Sequence, residues 1–240
     1  MNPYFEAIHT LMKEVSHEEQ SAIEKVAVEI AQRLARGGII QLFGCGHSHL
    51  IAEESYFRAG GLAPVQPIFI EPLMLHIGAT ESSANEKDPA FIDRFAELLD
   101  FQPNDTVFVI STSGRNPVPI DVALKAQQSG AYTVSIQSLY YKASEQPSKH
   151  PLGHRLEDAV DDILNTHVPL GDGLLTSGDL SYAPASSIMG NMLLHATFSR
   201  VIEIMIDSGQ EPPIFKSSNL DGSTAHNELM MATYADRIKF

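Results

Sequence analysis

The sequence contains one cysteine, Cys45, in 240 residues. A lone thiol excludes an intrachain disulfide framework and any multi-cysteine zinc site. Positive charge is scarce: 16 Lys and Arg stand against 30 Asp and Glu, a formal charge of −14 with 10 His taken as neutral. That balance argues against nucleic acid or an anionic membrane as partner, since either needs clustered basic side chains. No apolar run is clean enough to span a bilayer. The longest, around Ile188 to Ile206, carries His195, Arg200 and Glu203 and is expected to be a buried helix. The opening MNPYFEAIHTLMKEVSHEEQ has neither the basic nor the apolar segment of a secretory signal. Fixed-period repeats and low-complexity blocks are absent too, which excludes a solenoid or a disordered tail. The expectation is a cytoplasmic protein.

What is present is an alternation of short apolar strands with helices. Ser16 and Glu19 form a capping-box pattern ahead of an apolar face of Ile23, Val26, Ile30 and Leu34, and Gly37-Gly38 closes that helix. Strands are expected at Ile39–Phe43, Pro67–Ile70, Thr106–Ile110, Tyr132–Ile136 and Asp162–Leu164. Helices are expected at Ser48–Ala59, Pro89–Leu99, Pro117–Ser129, Ala185–Ile206 and His226–Ile238. Strands connected through helices give right-handed crossovers and a parallel sheet covered on both faces. With no compositional break, one domain over 1–240 is expected, with a helical arm at 1–36 and a C-terminal tail from 207.

In such a sheet, ligands bind beyond the carboxyl ends of the strands. Two loops there stand out. Ser111-Thr112-Ser113-Gly114-Arg115-Asn116 runs directly into a proline-started helix. One helix cap needs one such polar residue, whereas this loop supplies four in a row of six. Hydroxyls beside a glycine at a helix N-terminus suit an anion, with amide N–H groups and the macrodipole supplying positive potential. The second loop is Gly44-Cys45-Gly46-His47-Ser48. Its third fingerprint glycine is replaced by His49, so the dinucleotide motif fails; P-loop, zincin and serine-hydrolase motifs are absent as well. Between Arg94 and Lys125 the only cation is Arg115, placed to reach a phosphate bidentately.

The pair GCGHS and STSGRN, after the first and third strands, resembles the SIS (sugar isomerase) family and its Ser-x-Ser-Gly-x-Ser/Thr signature. The resemblance implies a Rossmann-like, flavodoxin-type fold with a five-stranded parallel sheet. It also implies that Ser111, Thr112, Ser113 and Asn116, with Ser48 from the neighbouring loop, bind a sugar phosphate. Gly44, Gly46 and His47 would shape the wall of that site. Gly44 to Glu54 is similar to the same stretch of phosphoheptose isomerases, although their proton-transferring glutamate corresponds here to Arg58 and their metal-binding histidine to Glu54. Gly78-Ala79-Thr80-Glu81, Asn191-Met192-Leu193 and Asn227-Glu228-Leu229-Met230 resemble segments of N-acetylmuramic acid 6-phosphate etherase.

Isomerising a sugar phosphate, or eliminating from it, begins with removal of a proton next to a carbonyl. Glu81, among small polar residues, and Glu54, on the helix after the first strand, are the candidate bases. The resemblance adds His226 as a ring-opening group, from its own or a partner subunit. His47 and His49 form an HxH pair, but at a loop-to-helix junction their side chains diverge, so no metal and no cofactor is expected. Three functions stay open: an aldose–ketose isomerase, an etherase or lyase on an amino-sugar phosphate, and a non-catalytic phosphosugar sensor. Residues 1–36 are acidic on balance and too short for a DNA-binding helix-turn-helix, which counts against the sensor. The expected partners are a phosphorylated sugar and a second copy of the chain.

Overall fold

The computed structural model describes residues 2–144 and 146–240. Five parallel strands form the central sheet: β1 (Ile40–Gly44), β2 (Val65–Pro67), β3 (Thr106–Ile110), β4 (Tyr132–Gln137) and β5 (Asp162–Asn165), in the order β2-β1-β3-β4-β5. Every residue of β1, β3 and β4 is buried, as a sheet covered on both faces requires. The flavodoxin-type order is the one expected from the loop pair. It places the topological switch point between β1 and β3, where the chain winds to opposite sides.

One face is covered by α1 (Pro3–Glu18), α2 (Gln20–Leu34), α3 (His47–Glu54) and α7 (Ser186–Asp207). Val26, Ala27 and Ile30 of α2 and Met189, Leu193 and Val201 of α7 pack there on Leu42, Phe108 and Val134. Residues 1–36 thus form part of this covering layer. The other face carries α5 (Pro117–Gln128), whose Val118, Val122 and Ala126 meet Phe43, Val107 and Val109. α4 (Ala79–Lys87) and α6 (Tyr140–Ala143) sit at the carboxyl end of the sheet.

Several boundaries differ from the sequence expectation. Ser16 does not cap a helix: it lies inside α1, and its hydroxyl donates to the Lys13 carbonyl. The helix starts instead after Glu19, whose buried carboxylate accepts from the Asn165 amide and meets the His167 ring. The helix expected at Pro89–Leu99 is two 3-10 turns, Phe91–Arg94 and Ala96–Leu98. α4 and the antiparallel hairpin of β6 (Gly173–Ser177) and β7 (Leu180–Pro184) lie outside the expected elements. The tail from 207 folds back along the amino end of the sheet. Phe215 bonds to Gly60 and Gly61 just before β2, and α8 (Thr224–Tyr234) follows. Among the described residues no helix is long and apolar enough to cross a membrane.

Candidate functional site

Register brings the two polar loops together. Gly44, the last residue of β1, pairs with Ile110, the last of β3, so the loops leave adjacent strands at one level. α3 folds back tightly on β1: a Cβ on Gly44 would lie 2.5 Å from the Ser48 backbone. Only glycine permits that approach, and it sets half-buried Ser48 in the first turn of α3, beside the crevice.

The loop after β3 is held from behind at four consecutive carbonyls. The Thr112 oxygen accepts from Ser138 N at 2.9 Å, Gly114 from Leu156 N at 2.9 Å and Arg115 from Lys149 N at 2.9 Å. The Ser113 oxygen accepts from the Arg155 guanidinium at 3.0 Å. With the carbonyls turned outward, the amides of Thr112, Ser113, Arg115 and Asn116 make no hydrogen bond among the described residues. Unpaired N–H groups gathered at a helix start are the kind of feature that attracts an anion, and here they flank the Gly114 amide, which donates to Ser111 O at 3.1 Å. Ser111 is buried under it, and Thr112 and Ser113 are half-buried.

Beneath the loop lies a compact polar assembly. Gly114 has φ +58, and a Cβ there would meet Gln137 Oε1 at 2.3 Å and Glu157 Oε2 at 3.2 Å. The Glu157 side chain is 1% exposed and accepts from Arg155 Nε at 2.6 Å. Arg155 thereby neutralises a buried carboxylate and fixes the Ser113 carbonyl with one guanidinium.

Two expected phosphate contacts are redirected. Arg115 turns away from the crevice, donating from Nε to the Pro147 carbonyl at 2.7 Å and from Nη1 to Gln146. The Asn116 amide donates to Glu86 Oε1 at 2.9 Å. Glu86, in the last turn of α4, is the site residue that sequence reading missed. α4 is pinned over the crevice by Ser82, whose hydroxyl donates to Leu73 O, and by Asn85, which donates to Pro72 O. Leu73 O also accepts from the Gly46 amide of the β1 loop. Burial pushes the Glu86 pKa up, against the Asn116 hydrogen bond and the charges of Lys87 and Lys149. Burial together with the Glu86 charge holds the Cys45 thiol well above its ordinary range, so Cys45 is a filler and not a nucleophile.

The other candidates stand apart. Glu81 is exposed in the first turn of α4. Glu54 ends α3, and its carboxylate is engaged by Arg58 and by His195 of α7. Six residues of helix separate it from Ser48, about 9 Å along the axis. His226 lies at the opposite end of the sheet, where its ring meets the Ile214 carbonyl at 2.8 Å, so it does not reach this chain's own crevice. His47 is exposed, whereas His49 is buried edge-on to Phe69. Among the described residues no three His, Cys, Asp or Glu side chains gather as metal ligands.

The sequence model of the SIS domain matches residues 3–138. A UPF0309 protein of Lysinibacillus sphaericus, named for the region 3′ of nagA, is 52% identical over 96% of this chain and 95% of its own. The UPF0309 protein of Geobacillus kaustophilus is 45% identical over 99% and 95%. Phosphoheptose isomerase from Neisseria gonorrhoeae shares the fold with a TM-score of 0.56 at 16% identity, over 83% of this chain and 95% of that one. The Vibrio vulnificus NanR protein complexed with ManNAc-6P does so at 0.53 and 15% identity, over 95% of this chain and 67% of that one. Strand order, the paired loops and these matches place the chain in the SIS-domain family, among the UPF0309 proteins.

Proposed function

We propose that the protein binds a phosphorylated sugar at the β1–β3 switch point and isomerises it between aldose and ketose forms. The observation that carries this reading is the row of four tethered carbonyls, Thr112 to Arg115, beside which the amides of Thr112, Ser113, Arg115 and Asn116 stay unpaired among the described residues. The Ser111, Thr112, Ser113 and Ser48 hydroxyls supply further donors. The phosphate sits at the N-terminus of α5, where the macrodipole favours an anion. Cationic help comes from Lys149, whose backbone is tied to Arg115, in place of the diverted Arg115 side chain. Shared fold with phosphoheptose isomerases, and with the NanR protein complexed with ManNAc-6P, supports a sugar phosphate as the ligand class. The working unit is taken to be a homodimer in the cytoplasm.

The test is thermal unfolding with fructose 6-phosphate, sedoheptulose 7-phosphate and N-acetylmannosamine 6-phosphate, each against its unphosphorylated sugar. A ligand at one hundred times its Kd adds about 2.7 kcal/mol. For a chain of this size that raises Tm by roughly 5–10 °C. The shift is expected only with phosphorylated sugars and is expected to shrink in Ser111→Ala/Ser113→Ala. No shift with any of them, or an equal shift in the double variant, overturns the reading. Lactate release from N-acetylmuramic acid 6-phosphate would redirect it to an etherase.

A further inference from the structure

We propose that Glu86 is the acid–base residue of the crevice and that Asn116 orients it. The inference rests on the phosphosugar reading above and names the group that moves the proton. Three observations converge on it. Glu86 is placed between the two loops of the switch point: it accepts from Asn116 at the start of α5, and its charge is felt at Cys45 after β1. Its helix is not free to drift, because Ser82 and Asn85 fasten α4 to the 3-10 turn Glu71–Leu73, and that turn is itself bonded to Gly46. The carboxylate has one oxygen held by an amide, while no hydrogen bond occupies the other among the described residues.

The remaining carboxylates lack this combination. Glu54 is committed to Arg58 and His195, and Glu81 is exposed. Glu157 is shut beneath the loop with Arg155. A general base needs a raised proton affinity and a fixed position near the carbon acid. The Glu86 carboxyl is pushed up by burial, with Asn116 from α5, Lys87 from its own helix and Lys149 from the segment over the loop opposing, and the Cys45 thiol facing it from the β1 loop.

The step balances within the sugar. With the phosphate on the unpaired amides of Thr112, Ser113, Arg115 and Asn116, the Glu86 carboxylate takes the proton from the carbon beside the carbonyl. The C–H electron pair becomes the C=C bond of an enediolate, and the former carbonyl oxygen takes a proton from the neighbouring hydroxyl, which carries the negative charge in its place. Glu86 returns its proton to the former carbonyl carbon, the oxyanion left on its neighbour collapses to the new carbonyl, and the carboxylate is regenerated. One carbon is oxidised and its neighbour reduced, so no external oxidant is needed. Asn116 acts through Glu86 and is a positioning residue.

The test uses the full-length protein with the three sugar phosphates above, in D2O, following loss of the exchangeable C–H signal by proton NMR. Wild type is expected to exchange and isomerise at least one. Glu86→Gln keeps the acceptor for Asn116 and relieves a buried charge, so it is expected to melt no lower than wild type at pH 7. It should retain the ligand-induced Tm shift and lose exchange at least 100-fold. Glu86→Asp, with a shorter reach, serves as the second charged variant and is expected to exchange slowly. Asn116→Ala is expected to displace the acid limb of the rate profile, which a merely structural residue would leave in place. Exchange by Glu86→Gln within threefold of wild type overturns the proposal and leaves phosphosugar binding standing. A wild type that shifts in Tm but exchanges none of the three also overturns it. No Tm shift in wild type removes the binding reading, and this proposal with it.

Discussion

Gly114→Ala tests the proposed phosphate loop at its tightest point. Two costs add. The backbone is left-handed, with φ +58, and a Cβ in that conformation costs about 1–2 kcal/mol. The new methyl would also lie 2.3 Å from Gln137 Oε1, 3.2 Å from Glu157 Oε2 and 3.3 Å from Leu156 Cβ. Overfilling a packed site of this kind costs about 1–3 kcal/mol. The Gln137 amide is the end of a flexible side chain, but it is 1% exposed and has little room to yield. The sum, ~2–5 kcal/mol, corresponds to roughly 4–20 °C in Tm for a chain of this length. Circular dichroism melting measures it, and the ligand-induced shift should disappear with the same substitution. Gly114→Ala/Gln137→Ala separates the terms. If the clash is real, the double variant loses at least about 1 kcal/mol less than the sum of the single losses. A Gly114→Ala protein melting within 2 °C of wild type, or strict additivity in the cycle, would refute the reasoning.

Arg155→Met should be worse than a surface charge deletion, because it leaves the buried Glu157 carboxylate without its partner. A loss of about 3–5 kcal/mol is expected by urea unfolding, largely recovered in Arg155→Met/Glu157→Gln. His49 gives a pH prediction. Burial lowers its pKa despite the nearby Glu53 carboxylate, so the folded state binds a proton less readily than the unfolded one. Its stabilisation is therefore full above the unfolded pKa of about 6.5 and is lost as pH falls below it. The Tm decline between pH 7 and 5.5 should be shallower in His49→Gln than in wild type.

The strands and the two crevice loops were legible because their signals are local. Ile39–Phe43 and Thr106–Ile110 are apolar runs bounded by turn residues, and the density of hydroxyls at 111–116 is visible by eye. α4 was not legible for a physical reason. Its sequence, ATESSANEK, has no apolar stripe, so periodicity has nothing to detect. The helix is held by Ser82 and Asn85 on carbonyls of another turn, a tertiary cause. Glu86 was hidden with it. Loop position points Arg115 at a phosphate, and the family resemblance does so for Asn116; what captures them, Pro147 and Glu86, lies some 30 residues away in either direction. Ser16 and Glu19 matched a capping box by spacing, but Glu19 spends its carboxylate on Asn165 and His167, across the fold.

The tethered carbonyls of the 111–116 loop change how a mutational scan of this protein should be interpreted. Side-chain truncation removes hydroxyls from Ser111, Thr112 and Ser113, yet it leaves every N–H in place. An alanine scan would therefore trace only part of the grip, and residual affinity would report the main chain. Substitutions that act on the main chain lie elsewhere in the sequence. Thr112→Pro deletes a donor outright. Leu156→Pro withdraws the amide that holds the Gly114 carbonyl at 2.9 Å, freeing that oxygen to swing toward the anion. On the proposed reading, affinity for phosphate is thus encoded partly in residues 149–156, which hold the loop without themselves forming the cradle.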